Sequence, residues 1–214
     1  MKSLEIMLWI VGATLLALFA GTQAWGELER QRDIAAFVQA RQHLPPLSDA
    51  LRSQTEDSPE AVALETGIAP PTEQPFHSPA PADAVLAILR IPGIALEVPV
   101  NYGTDEWVLL RGAGLVEGTA LPGSNGNVAI AAHRDTHFRG LKDLSRGDRI
   151  ELAMLDSTQT YVVTDLSVVE PTDVHVLADT GEPVLTLVTC YPFYFVGHAP
   201  QRFIVRAVAA TPSI

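Results

Sequence analysis

Three side chains that could together carry out acyl transfer stand at the ends of predicted strands. Cys190, the only cysteine of the chain, ends the apolar run Pro183–Thr189 and is followed by a Tyr-Pro loop. His133 ends the short apolar run Asn127–Ala132, and Arg202 lies in the next segment after the cysteine. Runs rich in Val, Leu and Thr predict buried strands, which places each side chain at the edge of a sheet. A thiol, an imidazole and a guanidinium in such positions are the parts of a thiol acyl-transfer site.

A lone cysteine also has a simpler interpretation, as a small buried apolar side chain without chemistry. Metal binding is not indicated, because the sequence has no second cysteine and no His-x-x-His or Cys-x-x-Cys pair. The acidic residues are scattered, and no phosphate-binding glycine loop follows a predicted strand. We therefore expect neither a metal nor an organic cofactor.

The segments around the cysteine and the histidine resemble those of a known family. Thr186–Cys190 (TLVTC), followed by an arginine in the next strand, resembles the signature of the sortases, the cysteine transpeptidases of the bacterial cell surface. Gly126–Thr136 (GNVAIAAHRDT) is similar to the histidine segment of that family. The two segments occur in the family's order, and the resemblance extends from about residue 84 to residue 209.

The loop after the cysteine indicates a subclass. Cys190–Gly197 (CYPFYFVG) and Ala199–Arg206 (APQRFIVR) look like the sortases of Gram-negative bacteria, which are close to class D. Those enzymes are single-pass inner-membrane proteins with the catalytic domain outside the cytoplasm. His198 departs from the pattern, because a proline or another small residue is expected there. This difference bears on loop shape and substrate preference and not on the chemistry.

The resemblance implies a role for each of the three residues. Cys190 would attack a peptide carbonyl in the C-terminal sorting signal of a secreted protein and form a thioester. His133 would protonate the leaving amine and later take a proton from an incoming amine acceptor. Arg202 would orient the peptide or donate hydrogen bonds to the developing oxyanion, and the sequence does not decide between these roles.

Two residues compete by position with the assigned histidine and arginine. His137 lies four residues after His133, and the family motif favours His133. Arg206 lies four residues after Arg202, so strand alternation puts both on one face, and again only the motif favours Arg202. Asp135 could hydrogen-bond an imidazole or cap the following turn, and capping is the commoner use of an aspartate before threonine. We do not include it among the catalytic residues.

The pattern along the chain predicts four parts. Residues 1–25 form a cytoplasmic tip and a transmembrane anchor, because Ile6–Trp25 is a stretch of about twenty mostly apolar residues without charge, enough to cross roughly 30 Å of hydrocarbon. Residues 26–44 form an extramembrane helix that continues the anchor and ends at two prolines. Residues 45–83 are Pro-rich and predict a disordered spacer that lets the domain stand off the membrane. Residues 84–214 form the catalytic domain.

The last part predicts a mainly β fold. Roughly eight short strands with turn residues between them indicate a closed barrel with short helices. The sortase resemblance implies the same eight-stranded barrel. A helix capped by Thr104 is predicted through Asp105–Leu110. About 130 residues are enough for one core without disulfides.

The compartment follows from the N-terminal segment. A cleaved signal peptide is the alternative to an anchor, because Thr22–Ala24 has the small-x-small pattern of a cleavage site. The apolar segment is long for a signal peptide, so we expect an uncleaved single-pass anchor in the inner membrane, with the catalytic domain on the periplasmic side. A free thiol in an oxidising compartment favours a catalytic use of the cysteine.

The formal net charge of −11 argues against nucleic acid as a partner. The expected partners are a secreted protein with a sorting signal, an amine acceptor and the inner membrane. Two alternatives to transpeptidation stay open on the sequence. One is a cysteine peptidase in which water takes the acyl group, and the other is a membrane-tethered envelope scaffold in which Cys190 is inert.

Overall fold

The computed structural model describes residues 2–43, 84–195, 197 and 199–210. The predicted spacer, residues 45–83, and the unusual His198 lie outside the described residues. A long helix, α1 (Lys2–His43), precedes a mostly β domain. It continues without a break from the apolar N-terminal segment into the polar segment, for which the sequence predicts a helix that continues the anchor.

Eight strands and one further α-helix make up the domain. The strands are β1 (Val85–Ile91), β2 (Leu96–Tyr102), β3 (Ala113–Leu115), β4 (Asn127–Ala131), β5 (Arg149–Ala153), β6 (Thr158–Val169), β7 (Val184–Tyr191) and β8 (Gln201–Ala209). Helix α2 (Glu106–Arg111) joins β2 to β3, and short 3-10 turns occur at Pro92–Ile94, Arg139–Asp143 and Val174–Leu177. The cap of α2 is Asp105, whose carboxylate accepts from two backbone amides, and not Thr104 as the sequence predicted.

The strands close into a barrel in the order β1-β2-β3-β4-β7-β8-β6-β5. The closed eight-stranded barrel predicted from the sequence is confirmed. Two neighbouring pairs, β2–β3 and β4–β7, are parallel, and the others are antiparallel. The parallel pair β4–β7 matters most for function, because it brings the ends of two distant segments to the same end of the barrel.

Alternation along each strand fills the interior. In β7, Leu185 and Leu187 are fully buried in the core, and in β8, Val205 and Ala207 join them. Each fully buried side chain of Leu size contributes about 1.5–3 kcal/mol relative to an exposed one. The residues between them have their side chains on the outer face of the barrel wall. This alternation decides which side chains of β7 and β8 face outward.

The second half of α1 packs on the outside of the barrel. Phe37 is buried in a small apolar cluster with Ile88 of β1 and Ala153 of β5. Polar contacts accompany it: Arg30 donates to the carbonyl of Glu97, and Arg111 forms an ion pair with Asp33 at 2.8 Å. The helix is therefore an integral part of the folded domain and not a free stalk.

Candidate active site

Cys190 lies near the end of β7 on the outer face of the barrel wall. The side chains of its two neighbours in the strand, Thr189 and Tyr191, face the barrel interior. Thr189 is buried, and Tyr191 packs against the core. The Thr189 hydroxyl donates to the carbonyl of Ala132 at 2.8 Å, which ties the end of β7 to the end of β4. The thiol itself is free and partly exposed, so a substrate can reach it.

His133 follows β4 directly, on the strand that runs parallel to β7. The register pairs Ala131 with Val188, and the amide of Ala132 donates to the carbonyl of Val188 at 3.3 Å. Extending this register by two residues brings His133 beside Cys190. The imidazole is exposed, and it lies on the outer face of the barrel wall, as the thiol does.

Arg202 stands directly opposite Cys190 in the antiparallel ladder between β7 and β8. Directly opposite residues of such a pair have side chains on the same face, with Cβ atoms about 4.5–5.5 Å apart. Arg206, by contrast, is opposite Thr186. That position is four residues back along β7, or about 13 Å from the thiol at the usual rise per residue. The register thus shows that Arg202, and not Arg206, lies beside the thiol. Sequence spacing alone could not distinguish the two arginines.

The guanidinium of Arg202 also holds the end of the loop after the cysteine. Its Nη1 donates to the carbonyls of Ala199 and Gln201, at 3.3 Å and 3.0 Å. Among the described residues, no partner is seen for Nε or Nη2. These donors remain for a substrate carbonyl or an oxyanion, since arginine offers five N–H groups in a planar fork.

The competing histidine has a different environment. His137 is half-buried beneath α1, and its ring is hydrogen-bonded to the carbonyl of Leu110. Burial lowers the pKa of His137 below its ordinary value, and the hydrogen bond to Leu110 opposes this; nearby Arg30 lowers the pKa further and Glu27 raises it. The structure therefore brings His133 to the cysteine and gives His137 a packing position against the helix.

The buried arginine of the histidine segment is a residue that the sequence reasoning missed. Arg134 is only 6% exposed, and its Nη1 donates to the carbonyl of Pro192 at 2.8 Å. Its Nε and Nη2 form a two-point ion pair with the exposed carboxylate of Asp135, at 2.9 Å and 2.7 Å. This hydrogen bonding holds the pKa of Asp135 below its usual value. Asp135 thus pairs with Arg134, and no contact between its carboxylate and an imidazole is seen in the described part of the chain.

Arg134 links the loop after His133 to the loop after Cys190, so we expect it to be a positioning residue. Replacing it with methionine keeps most of the side-chain volume but removes the link to Pro192, and kcat should fall by roughly tenfold or more with a smaller change in KM. Arg146→Met is the control, because Arg146 is an exposed arginine that pairs with Asp165 and lies outside both loops. Steady-state kinetics on both variants test this. Equal kcat values for the two variants would contradict the role.

The lowered pKa of His137 predicts a pH dependence of stability. Because the folded-state pKa lies below the unfolded value of about 6.5, the unfolded chain binds the proton more readily. Stability should be full above that value and fall as the pH drops toward the folded-state pKa, by at most about 1.4 kcal/mol per pH unit for one proton.

Denaturant unfolding from pH 7.5 to pH 5 measures this dependence. His137→Gln, which keeps a donor for the Leu110 carbonyl, should make it shallower, whereas changing the exposed His175 in the same way should not. A variant at His137 with an unchanged profile would rule out this histidine as the source.

No group of three or more His, Cys, Asp or Glu side chains that could hold a metal occurs in the described part of the chain. The side chains that the strand register brings together are a thiol, an imidazole and a guanidinium. These three lie at one end of three neighbouring strands, β4, β7 and β8, all on the outer phase of the wall.

Comparison with known proteins agrees with this geometry. A sortase domain model matches residues 89–210, which is more than half of the chain. Sortase D of Bacillus subtilis (strain 168) is 37% identical over 125 residues, covering 58% of this chain and 63% of that protein. The solved Sortase D5 transpeptidase of Clostridium perfringens is 31% identical with a TM-score of 0.55, covering 59% of this chain and 79% of that one.

A further solved structure is Clostridium perfringens sortase C with the C-terminal cell wall sorting motif, which is 32% identical with a TM-score of 0.55 and covers 60% of this chain and 71% of that one. The chain spans between 50% and 63% of the length of the curated relatives it matches. The likeness to Sortase D and Sortase D5 supports closeness to class D, while the Gram-negative subclass stays a prediction. From the matched domain, the barrel and these relatives, the chain belongs to the sortase family.

Proposed function

We propose that this protein is a membrane-anchored cysteine transpeptidase that cleaves a C-terminal sorting signal and transfers the acyl group to an amine acceptor. One observation carries the proposal: Arg202 stands directly across the ladder from Cys190, and the parallel register of β4 and β7 carries His133 to the same place. A thiol that was only a packing residue would not need a base on one side and a guanidinium on the other.

The proposed reaction proceeds in two steps. The sulfur of Cys190, as the thiolate, attacks the carbonyl carbon of the scissile peptide bond. The C–N bond then breaks while the imidazolium of His133 gives its proton to the leaving amine, and a thioester remains. An acceptor amine next attacks the thioester carbonyl, His133 takes its proton, and the thiolate leaves. Arg202 donates hydrogen bonds to the substrate carbonyl oxygen as negative charge develops on it.

The substrate class is proposed from the family. The Clostridium perfringens sortase C structure contains the C-terminal cell wall sorting motif, and we extend this kind of substrate to the present chain. The donor would be a secreted protein that ends in a sorting signal. Incubation with candidate sorting peptides, with and without an added amine, distinguishes transpeptidation from hydrolysis. An amide product with the amine supports the proposal, and the free acid alone in its presence indicates a peptidase.

The anchor is proposed from α1. Of the described helices, it alone is long and apolar enough to cross a membrane, judged by length and composition; a signal sequence would meet the same criterion. We place the span at Ile6–Trp25 in the inner membrane and the barrel on the periplasmic side.

A thiol reagent that cannot cross the inner membrane should then label Cys190 in cells with a permeabilised outer membrane. The labelled protein should stay in the membrane fraction after a salt wash, because the attachment is apolar. A mature N-terminus near Trp25 by mass spectrometry would refute the anchor. Labelling only after cell lysis would place the thiol in the cytoplasm or the core and refute the proposed function.

A further inference from the structure

Helix α1 contacts the barrel in an ordered series along its second half. Near its Thr22 end, Gly26 lies against α2, where a Cβ on this glycine would be 3.5 Å from the carbonyl of Leu110. Farther along come the bond from Arg30 to the carbonyl of Glu97 and the burial of Phe37. At the far end, Arg41 donates to the Thr158 hydroxyl at 2.9 Å, so Thr22 to Arg41, about 28 Å of helix, lies alongside the barrel.

This series fixes which end of the barrel carries the active site. A cleft of about 340 Å³ between α1 and the barrel is lined by Thr22 and Gly26 on the helix side and by His133 on the barrel side. Strands β4 and β7 run parallel, so their final residues, and with them Cys190, lie at this same end. The turn between β5 and β6, just before Thr158, lies at the opposite end.

The predicted membrane span ends at the same level. Ile6–Trp25 is about 30 Å long as a helix, which matches the hydrocarbon core of a bilayer. Thr22 belongs to the last turn of that span and also lines the cleft beside His133. Since α1 has no break between the span and the docked half, the end of the barrel with the active site must lie close to the plane where the helix leaves the lipid.

We propose that the catalytic end of the barrel rests on the surface of the bilayer, with Trp107 and Leu110 of α2 in the lipid headgroup region. This inference rests on the membrane anchor of the proposed function. Trp107 and Leu110 lie one helical turn apart and are 64% and 45% exposed, although both are large and apolar. Tryptophan is enriched at the membrane–water boundary, where its ring can lie in the apolar zone while its N–H stays hydrated.

The charges at this end indicate the kind of contact. Lys142 is paired with Asp143, Arg139 lies 3.8 Å from Asp135, and the exposed acids Asp105 and Glu106 precede Trp107, so these groups form no basic patch. A surface of this kind is held at the membrane by its apolar side chains and by the continuous helix, and not by attraction to anionic lipids. The contact should therefore not be weakened by salt.

The arrangement has a consequence for the substrate. With α1 docked, the spacer does not set the distance between barrel and membrane. A sorting signal that leaves the bilayer beside α1 would meet the cleft at His133 within the headgroup layer.

Depth-dependent quenching tests the contact directly on the full chain in phosphatidylcholine–phosphatidylglycerol vesicles. In a Trp9→Phe, Trp25→Phe protein, Trp107 is the only tryptophan, and spin-labelled headgroups should quench its fluorescence by half or more, at low and high salt alike. Trp107 fluorescence unaffected by the label in protein that floats with the vesicles would overturn the inference while leaving the anchor intact. Protein that does not float with the vesicles would overturn the anchor and the inference together.

A second measurement tests the orientation without relying on the tryptophan. In a Cys190→Ala chain, a dye is attached at Asp143→Cys, in the turn near the active site, or at Asp156→Cys, in the turn between β5 and β6 at the other end. Energy transfer to a headgroup-labelled lipid should be several-fold greater from position 143. Equal transfer from both positions, or more from position 156, would contradict the orientation.

Discussion

Replacing Cys190 by alanine is expected to abolish formation of the covalent intermediate while the fold survives. No other cysteine exists in the chain to replace it. The loss of activity should be complete within detection, because a chain without a nucleophile cannot form the thioester.

The fold should tolerate the change, because the thiol lies on the outer phase of β7 and is partly exposed. Removing one small side-chain atom there should alter the free energy of unfolding by less than about 1 kcal/mol. Intact-mass spectrometry after incubation with sorting peptides measures the adduct, and thermal unfolding measures the fold. Val188→Ala, two residues earlier and on the same face of β7, is the control that should retain the adduct. A persistent adduct in the alanine variant would mean that another residue is the nucleophile.

The barrel could be predicted from the sequence because period-two alternation is a local property. The runs that became β1, β2, β4 and β7 each carry their own signal in Val, Leu, Ile and Thr, and turn residues mark the breaks between them. The family motifs then pointed to the cysteine, the histidine and the arginine. Neither signal contained the register between strands that are far apart in the chain.

The features that the sequence did not reveal all depend on that long-range register or on packing. Arg202 and Arg206 share a face, so only the pairing of β7 with β8 shows which one stands beside Cys190. The contact between Arg134 and the Pro192 carbonyl joins two loops from distant segments. Its one sequence signal was an arginine directly after the motif histidine, which by itself is indistinguishable from a surface charge.

The docking of α1 was missed for a different reason. A polar helix after a membrane span has a weak apolar face, and Phe37 alone does not distinguish a packed helix from a free stalk. What settles the matter is the apolar contact that Phe37 makes with Ile88 and Ala153 of the barrel. Such complementarity exists only after the barrel has closed.

The second large effect is expected at Arg202 and separates it from Arg206. Arg202→Ala should lower kcat by on the order of a hundredfold or more, because it removes hydrogen-bond donors for the carbonyl oxygen where charge develops. It also removes the bonds that hold the carbonyls of Ala199 and Gln201. Arg202→Lys should recover little, since one ammonium cannot replace the planar fork.

Arg206→Ala is the matched control on the same strand and face. Its position opposite Thr186 is too far from the thiol for direct contact with the reacting carbonyl, so activity should change only a few-fold. The histidines provide a parallel comparison: His133→Ala should cost on the order of a hundredfold or more, and His137→Ala far less.

Single-turnover measurement of thioester formation resolves the chemical step from product release and applies to all four alanine variants. A greater loss at Arg206 than at Arg202, or at His137 than at His133, would show that the site assignment is wrong. If instead both pairs follow the expected order, the register of β4, β7 and β8 accounts for the choice of catalytic residues. The reason is geometric: only the residues at the ends of these strands can reach a carbonyl held at the sulfur.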